Sequence, residues 1–155
     1  MNIDWLPHSP PTREVWEHRR QIYDYIWSEC INPNGSITNQ HADSLKLELE
    51  RCFCSGAWVA CIILSASIVE VHLSYLGGWK NSNGATLIEE LELSAAWEAL
   101  RERRNMLIHG EKGSEKNDRL PSQEYRHERE KYQKLATASV YTALKVALNN
   151  PEDIS

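Results

Sequence analysis

The stretch CFCSGAWVACIILSASIV, residues 52–69, contains no charged side chain. It begins after Arg51 and ends before Glu70, and its 18 residues would extend about 27 Å as an α-helix. A helix of this length can cross a membrane. However, three serines and a glycine interrupt the apolar run, and no cluster of Lys or Arg flanks it. We therefore expect no membrane span and predict a central helix that is buried on all sides by its neighbours.

Turn-forming segments separate this central helix from the rest of the chain. INPNGSITNQ, residues 31–40, and LGGWKNSNGA, residues 76–85, are rich in the Asn, Gly and Ser residues that favour loops. The central helix is therefore predicted over residues 41–76. Before it, Thr12 is placed to cap a first helix, whose apolar positions recur at helical spacing as far as Trp27.

Two more helices are predicted after the central one. The sequence TLIE, which begins at Thr86, is a capping box and indicates the start of a helix. Gly110 is a suitable residue to follow a helix that ends at about His109. Beyond a charged loop, Pro121 is placed to begin a last long helix that ends near Asn149.

The whole pattern indicates an all-α protein. No segment shows the alternation that is typical of a strand, and 41% hydrophobic residues with six tryptophans are sufficient for a folded core. We predict a single bundle of four to five helices over residues 1–155. An irregular N-terminus is expected at residues 1–11 and a C-terminal tail at residues 150–155.

Charge and cysteine content restrict the class of protein. The net charge of -5 gives no general attraction for a polyanion, so contact with RNA requires a local basic patch. The N-terminus has no signal-peptide pattern, and we expect a cytoplasmic protein. Three of the four cysteines are expected on one helix, as reduced thiols packed like small apolar groups. We expect no structural zinc, no other metal and no cofactor, because the C-x-C at Cys52 and Cys54 has no second pair at metal-ligand spacing.

The sequence RNMLIH, residues 104–109, contains the candidate catalytic side chains. Asn105 and His109 are four residues apart, so on a helix they share a face and can touch. Arg104 and His109 are about 140° apart around an ideal helix, so one regular helix does not bring them together. A common site requires a bent helix end, the long reach of Arg104, or a second copy of the chain.

A simpler interpretation applies to the same residues. A histidine in the last turn complements the negative end of a helix, and an arginine in the run RERR can be ordinary surface.

Glu70 is the second unusual residue, because the helical positions around it are apolar. Burying a carboxylate without a partner costs several kcal/mol, so we expect a cation to meet it, with Arg104 and Arg101 as candidates. The alternative is that Glu70 lies where the helix emerges from the core and faces water.

These residues resemble the signature of HEPN (higher eukaryotes and prokaryotes nucleotide-binding) domains. In that family four to six residues separate an Arg from a His near a helix end, and the residue after the Arg is commonly Asn, Asp or His. Arg104, Asn105 and His109 match this pattern. Glu70, in the preceding apolar helix, would correspond to an acidic residue of the family. The resemblance covers most of the chain by helix order but only these residues by motif.

The resemblance implies a metal-independent endoribonuclease that acts as a homodimer, with the motifs of both protomers lining one cleft. His109 would then be the general acid/base, Arg104 would hold the scissile phosphate, and Asn105 would orient His109 or contact the phosphate. Glu70 and Arg101 would support them. Such domains include toxins and defence effectors, so an antitoxin or another regulatory protein is an expected partner.

Some family members continue the motif with a tyrosine two residues after the His, but here Gly110 and Glu111 follow His109. Regulation through that tyrosine is therefore not expected. Residues 101–119 carry six basic side chains against four acidic ones, a modest local attraction for RNA that a solvated loop explains equally well. The alternative function is a noncatalytic helical module that binds a protein or a nucleotide, in which Arg104 pairs with Glu70 to hold the bundle together.

Overall fold

A computed structural model describes residues 9–33, 40–77, 82–109 and 122–149, and every regular element in these ranges is an α-helix. The helices are α1 (Arg13–Cys30), α2 (Gln40–Ser55), α3 (Trp58–Tyr75), α4 (Ser82–Glu90), α5 (Ser94–His109) and α6 (Ser122–Ala147). The all-α bundle is as predicted. The described ranges contain six helices, whereas four to five were predicted, because two of the predicted helices are each divided by a turn.

The first division occurs at Gly56, which has a left-handed backbone with φ +79°. The N–H of Ala57 donates to the carbonyl of Cys52 at 2.9 Å, which closes the turn between α2 and α3. In one straight helix, Phe53 and Trp58 would point about 140° apart. The turn lets both rings enter the core, where they meet edge to face with centroids 5.5 Å apart.

The second division occurs at Glu92, whose φ of 56° separates α4 from α5. Leu87 and Leu93 are both buried, although they would lie about 120° apart on a straight helix. The predicted helix start at Thr86 is therefore wrong, because α4 begins at Ser82 and includes Thr86.

Helix α3 is the centre of the bundle and packs against α2, α5 and α6, while α1 packs against α2 and α6. Its nine buried residues are Trp58, Cys61, Ile62, Ser65, Ala66, Ile68, Val69, His72 and Leu73. They cover an arc of roughly 160°, and Val59, just outside this arc, is 42% exposed, so the predicted burial on all sides is wrong. Within the described ranges, α3 is also the one helix long and apolar enough to cross a membrane, and half of it is buried inside the bundle.

The outer helices α1 and α6 follow the predicted boundaries closely. The hydroxyl of Thr12 accepts from the N–H of Val15 at 3.3 Å, so the predicted cap of α1 is confirmed. Helix α6 ends at Ala147, two residues before the expected stop at Asn149. The predicted helix-starting residue Pro121, the first eight residues and the tail 150–155 lie outside the described residues.

All four cysteines are free, as predicted. The prediction that three of them lie on one helix is wrong, because the turn at Gly56 leaves Cys52 and Cys54 on α2 and Cys61 on α3. Burial raises the pKa of Cys30 to about 11 and that of Cys61 to about 12. These thiols are therefore protonated at neutral pH and pack as small apolar groups.

Candidate functional site

Arg104 of α5 and Glu70 of α3 form a two-point ion pair. Nη1 of Arg104 donates to Oε2 of Glu70 at 3.2 Å, and Nη2 donates to Oε1 at 2.5 Å. Two parallel hydrogen bonds are the geometry in which a planar guanidinium matches a carboxylate best. The side chain of Arg104 is 21% exposed and that of Glu70 is 39% exposed. The prediction that a cation meets Glu70 is therefore confirmed.

Helix positions explain why these two side chains meet. Arg104 lies on the same face of α5 as Leu100 and Trp97, four and seven residues earlier, which are both buried. This face of α5 packs against α3, so the Arg104 side chain points toward α3. Glu70 lies on the half-buried side of α3 and stays partly solvated, which lowers the cost of removing its charge from water.

The pair with Glu70 uses only part of the hydrogen-bonding capacity of Arg104. A guanidinium has five N–H donors, and the pair uses one on each Nη atom. Nε is buried and has no hydrogen-bond partner among the described residues. Among the described residues, Glu70 is the one hydrogen-bond partner of the two Nη atoms, and the Arg104 side chain is partly exposed.

His109 is the last residue of α5 and is exposed, as is Asn105. The two residues share the outer face of the helix, but no hydrogen bond joins their side chains within the described part of the chain. Because α5 is continuous through His109, Arg104 and His109 point about 140° apart and are separated by about 7.5 Å along the axis. One chain therefore does not bring Arg104 and His109 to the same place.

Other residues around the motif contribute charge and apolar surface. Arg101 donates to Glu98 at 3.2 Å, and its Cζ lies 5.8 Å from the centre of the Trp97 ring. Met106 and Ile108 are 52% and 50% exposed, so large apolar side chains lie on both sides of the outer face. Each is a single exposed apolar side chain, and the two point about 160° apart on α5.

Several sequence expectations concern residues outside the described ranges. These are Gly110 and the charged loop that contains Lys112, Lys116 and Arg119. The local basic patch after the motif therefore stays a prediction.

A buried polar network at the ends of α1, α3 and α6 was not expected from the sequence. His72 is fully buried, and its Nε2 lies 3.1 Å from the carbonyl oxygen of Asn149. Since a carbonyl only accepts, Nε2 carries the ring proton. Nδ2 of Asn149 donates to the carbonyl of Cys30 at 3.0 Å. Burial lowers the pKa of His72, and the nearby charge of Lys46 lowers it further.

Two surface grooves lie away from the motif. A groove of about 850 Å³ lies between α1, α5 and α6, and a smaller one of about 410 Å³ lies between α1 and α2. Neither is lined by Arg104, Asn105 or His109. No group of three His, Cys, Asp or Glu side chains in the described ranges is arranged to hold a metal ion.

Comparison of the chain with protein families, with curated proteins and with solved structures finds no match. A functional proposal therefore depends on the geometry above and on the motif.

Proposed function

We propose that this protein is a metal-independent endoribonuclease of the HEPN type that acts on RNA as a homodimer. One arrangement carries the proposal. His109 is exposed at the end of α5, five residues after Arg104, and Glu70 of α3 holds the Arg104 side chain in place. The match between the motif and the signature of the family supports the same assignment.

The reaction needs no metal, because RNA supplies its own nucleophile. The 2′-hydroxyl attacks the adjacent phosphorus, the bond to the 5′-oxygen of the next nucleotide breaks, and a 2′,3′-cyclic phosphate and a 5′-hydroxyl remain. His109 takes the proton of the 2′-hydroxyl or gives a proton to the departing oxygen, since imidazole exchanges protons near neutral pH. Arg104 stabilises the negative charge of the phosphorane. Asn105 orients the imidazole or donates to the phosphate.

A dimer supplies what one chain lacks. Arg104 points inward to α3 and His109 points outward, so neither can complete the site within its own protomer. A twofold axis beside α5 would place His109 of one protomer near Arg104 of its partner. The exposed side chains of Met106 and Ile108 provide apolar surface for this contact.

The biological role in this proposal follows from the resemblance. A cytoplasmic nuclease of this type would act as a toxin or defence effector, without a cofactor or a membrane. An antitoxin or another regulatory protein would control it.

The alternative is a noncatalytic helical module that binds a nucleotide or a protein. The observation in its favour is that both Nη atoms of Arg104 already contact Glu70, which links α3 to α5. In this alternative Arg104 stabilises the bundle, and His109 has no chemical function.

Cleavage of RNA in EDTA distinguishes the two functions. Purified protein is incubated with structured and single-stranded RNAs, and product ends are analysed for the 2′,3′-cyclic phosphate. We expect His109→Ala to lower the cleavage rate by at least about a hundredfold. Because His109 is exposed, the circular dichroism spectrum and thermal unfolding should not change. His18→Ala, which removes an exposed histidine of α1, is the matched control.

Either of two results would count against the nuclease proposal. Equal cleavage by the wild type and His109→Ala would show that His109 is not a catalytic residue. Absence of cleavage by the wild type on every RNA tested would favour the noncatalytic module.

A further inference from the structure

Arg19 of α1 contacts the turn at Gly56 between α2 and α3. Its Nη1 donates to the carbonyl of Cys54 at 3.2 Å, and its Cζ lies 4.9 Å from the centre of the Trp58 ring. A Cβ atom at Gly56 would lie 2.7 Å from Nη1, so the glycine leaves room for the guanidinium. A carbonyl, a ring and a glycine therefore fix Arg19, and none of these contacts neutralises its charge.

The packing of α1 on α6 places a second arginine beside Arg19. Sγ of Cys30, at the end of α1, lies 3.6 Å from the carbonyl oxygen of Tyr141 on α6. Nδ2 of Asn149 donates to the carbonyl of Cys30, so α1 and α6 end together and run in the same direction. Each helix rises by about 1.5 Å per residue, so eleven residues before Cys30 and Tyr141 this register brings Arg19 close to Arg129 and Glu130. The pKa of Arg19 agrees with this register, because burial lowers it and the positive charge of Arg129 lowers it further.

Neither arginine is neutralised by a carboxylate in the part of the chain that the structure describes. Glu130 follows Arg129, but it is exposed and lines the groove between α1, α5 and α6. Arg129 is half-buried and forms no ion pair with a described residue. Two neighbouring guanidinium groups with unused donors favour an oxyanion that can accept from both, and a phosphate group has this chemistry.

We propose that Arg19 and Arg129 bind a phosphate group of the RNA backbone and thereby position the substrate. This inference rests on the proposed nuclease function. The site is separate from the motif, because Trp58 and Glu70 are twelve residues apart on α3, which corresponds to about 18 Å. Arg19 and Arg129 are positioning residues and take no part in the chemical step.

Binding of an RNA that cannot be cleaved tests this site. A 2′-O-methyl oligonucleotide lacks the nucleophile, and fluorescence anisotropy over a series of KCl concentrations gives its affinity for the full chain. Loss of one phosphate contact by Arg129→Gln should weaken binding about fivefold at about 0.1 M KCl and reduce the salt slope by about 0.7. Arg129→Lys keeps the charge and should retain most of the affinity.

The matched control is Lys131→Gln, which makes the same change of charge at an exposed position of α6. We expect it to change the affinity by less than about twofold. Thermal unfolding of both variants shows whether the fold is intact. Equal effects of Arg129→Gln and Lys131→Gln would overturn the proposal, as would absence of binding by the wild type.

Two further measurements complete the test. The first distinguishes a site for the RNA backbone from a site for a free nucleotide, and the second separates failure of this proposal from failure of the nuclease proposal. If Arg129→Gln weakens binding of a free mononucleotide but not of the oligonucleotide, the assignment to the RNA backbone is wrong. Cleavable RNA tests the nuclease itself. If cleavage requires His109 but its KM is unchanged in Arg129→Gln, the proposed positioning site is wrong and the nuclease proposal is still supported.

Discussion

Arg104 and Glu70, 34 residues apart in the chain, are joined by two hydrogen bonds that tie α5 to the central helix α3. The pair serves both proposed functions, because it fixes the guanidinium in one orientation and also connects two helices. The functions differ in what depends on Arg104. In a nuclease, its replacement lowers cleavage beyond any effect on folding, whereas in a noncatalytic module only stability changes.

The first prediction concerns the stability that this pair provides. We expect Glu70→Gln to lower the free energy of unfolding by about 1–2 kcal/mol, because Arg104 loses a charged acceptor at a site only partly open to water. Urea unfolding measures the change. Glu98→Gln is the control, since it removes the more exposed pair with Arg101 and should cost less than about 0.5 kcal/mol. Equal losses in the two variants would show that the pair with Glu70 is an ordinary surface contact.

The second prediction tests whether the site is shared between protomers. Arg104→Ala and His109→Ala should each be inactive, but a hybrid dimer keeps one site with both residues intact. If the subunits of an equimolar mixture exchange at random, about half of the dimers are hybrids with one intact site of two, so the mixture should recover about a quarter of the wild-type activity. Cleavage assays after mixing, with the unmixed variants as controls, measure the recovery. An inactive mixture, with subunit exchange verified by a size tag, would place both residues in one protomer.

The fold was predictable from the sequence to the level of helices and their order. Local features set the outer boundaries, such as the Thr12 cap of α1. The two internal turns were missed because the helical pattern of apolar residues continues through them. Gly56 stands after a serine in a recognisable turn dipeptide, whereas Glu92 adopts a left-handed backbone with no local signal. The turn is closed by backbone hydrogen bonds from Glu92 to Glu89 and from Leu93 to Ile88, and it places Leu93 in the core.

The candidate site was predictable where one strong physical requirement applied. A carboxylate among apolar helical positions needs a cation, and this requirement gave Arg104 and Arg101 as candidates, of which Arg104 forms the pair with Glu70. Contacts that depend on the relative placement of three helices were not predictable. The bond between His72 and Asn149 joins residues 77 positions apart, and helical periodicity contains no information about that distance.

The third prediction is a loss of stability at acidic pH that comes from His72. Burial lowers the pKa of His72 in the folded state. Below about pH 6.5 the unfolded chain therefore binds a proton at His72 that the folded chain does not bind. Its contribution is fully present above that pH and decreases, by at most about 1.4 kcal/mol per pH unit, as the pH falls toward the depressed value. Urea unfolding at a series of pH values measures this dependence.

His72→Gln is the control for this pH dependence. The glutamine amide can donate to the carbonyl of Asn149 but does not titrate, so the variant should lose stability less steeply than the wild type on acidification. The difference between the two curves isolates His72 from the carboxylates that titrate in both proteins. Parallel curves would mean that His72 does not keep its neutral form in the folded state.

The fourth prediction concerns the turn at Gly56. An alanine there requires a left-handed backbone, at roughly 1–2 kcal/mol, and its Cβ would also lie 2.7 Å from Nη1 of Arg19. Arg19 must then move away from the ring of Trp58 and the carbonyl of Cys54, so a second loss of stability is added. We expect Gly56→Ala to cost less in an Arg19→Ala background than in the wild type, by about 0.5 kcal/mol or more. A double-mutant cycle in urea measures this coupling, and equal costs in the two backgrounds would show that Arg19 does not occupy the space above the glycine.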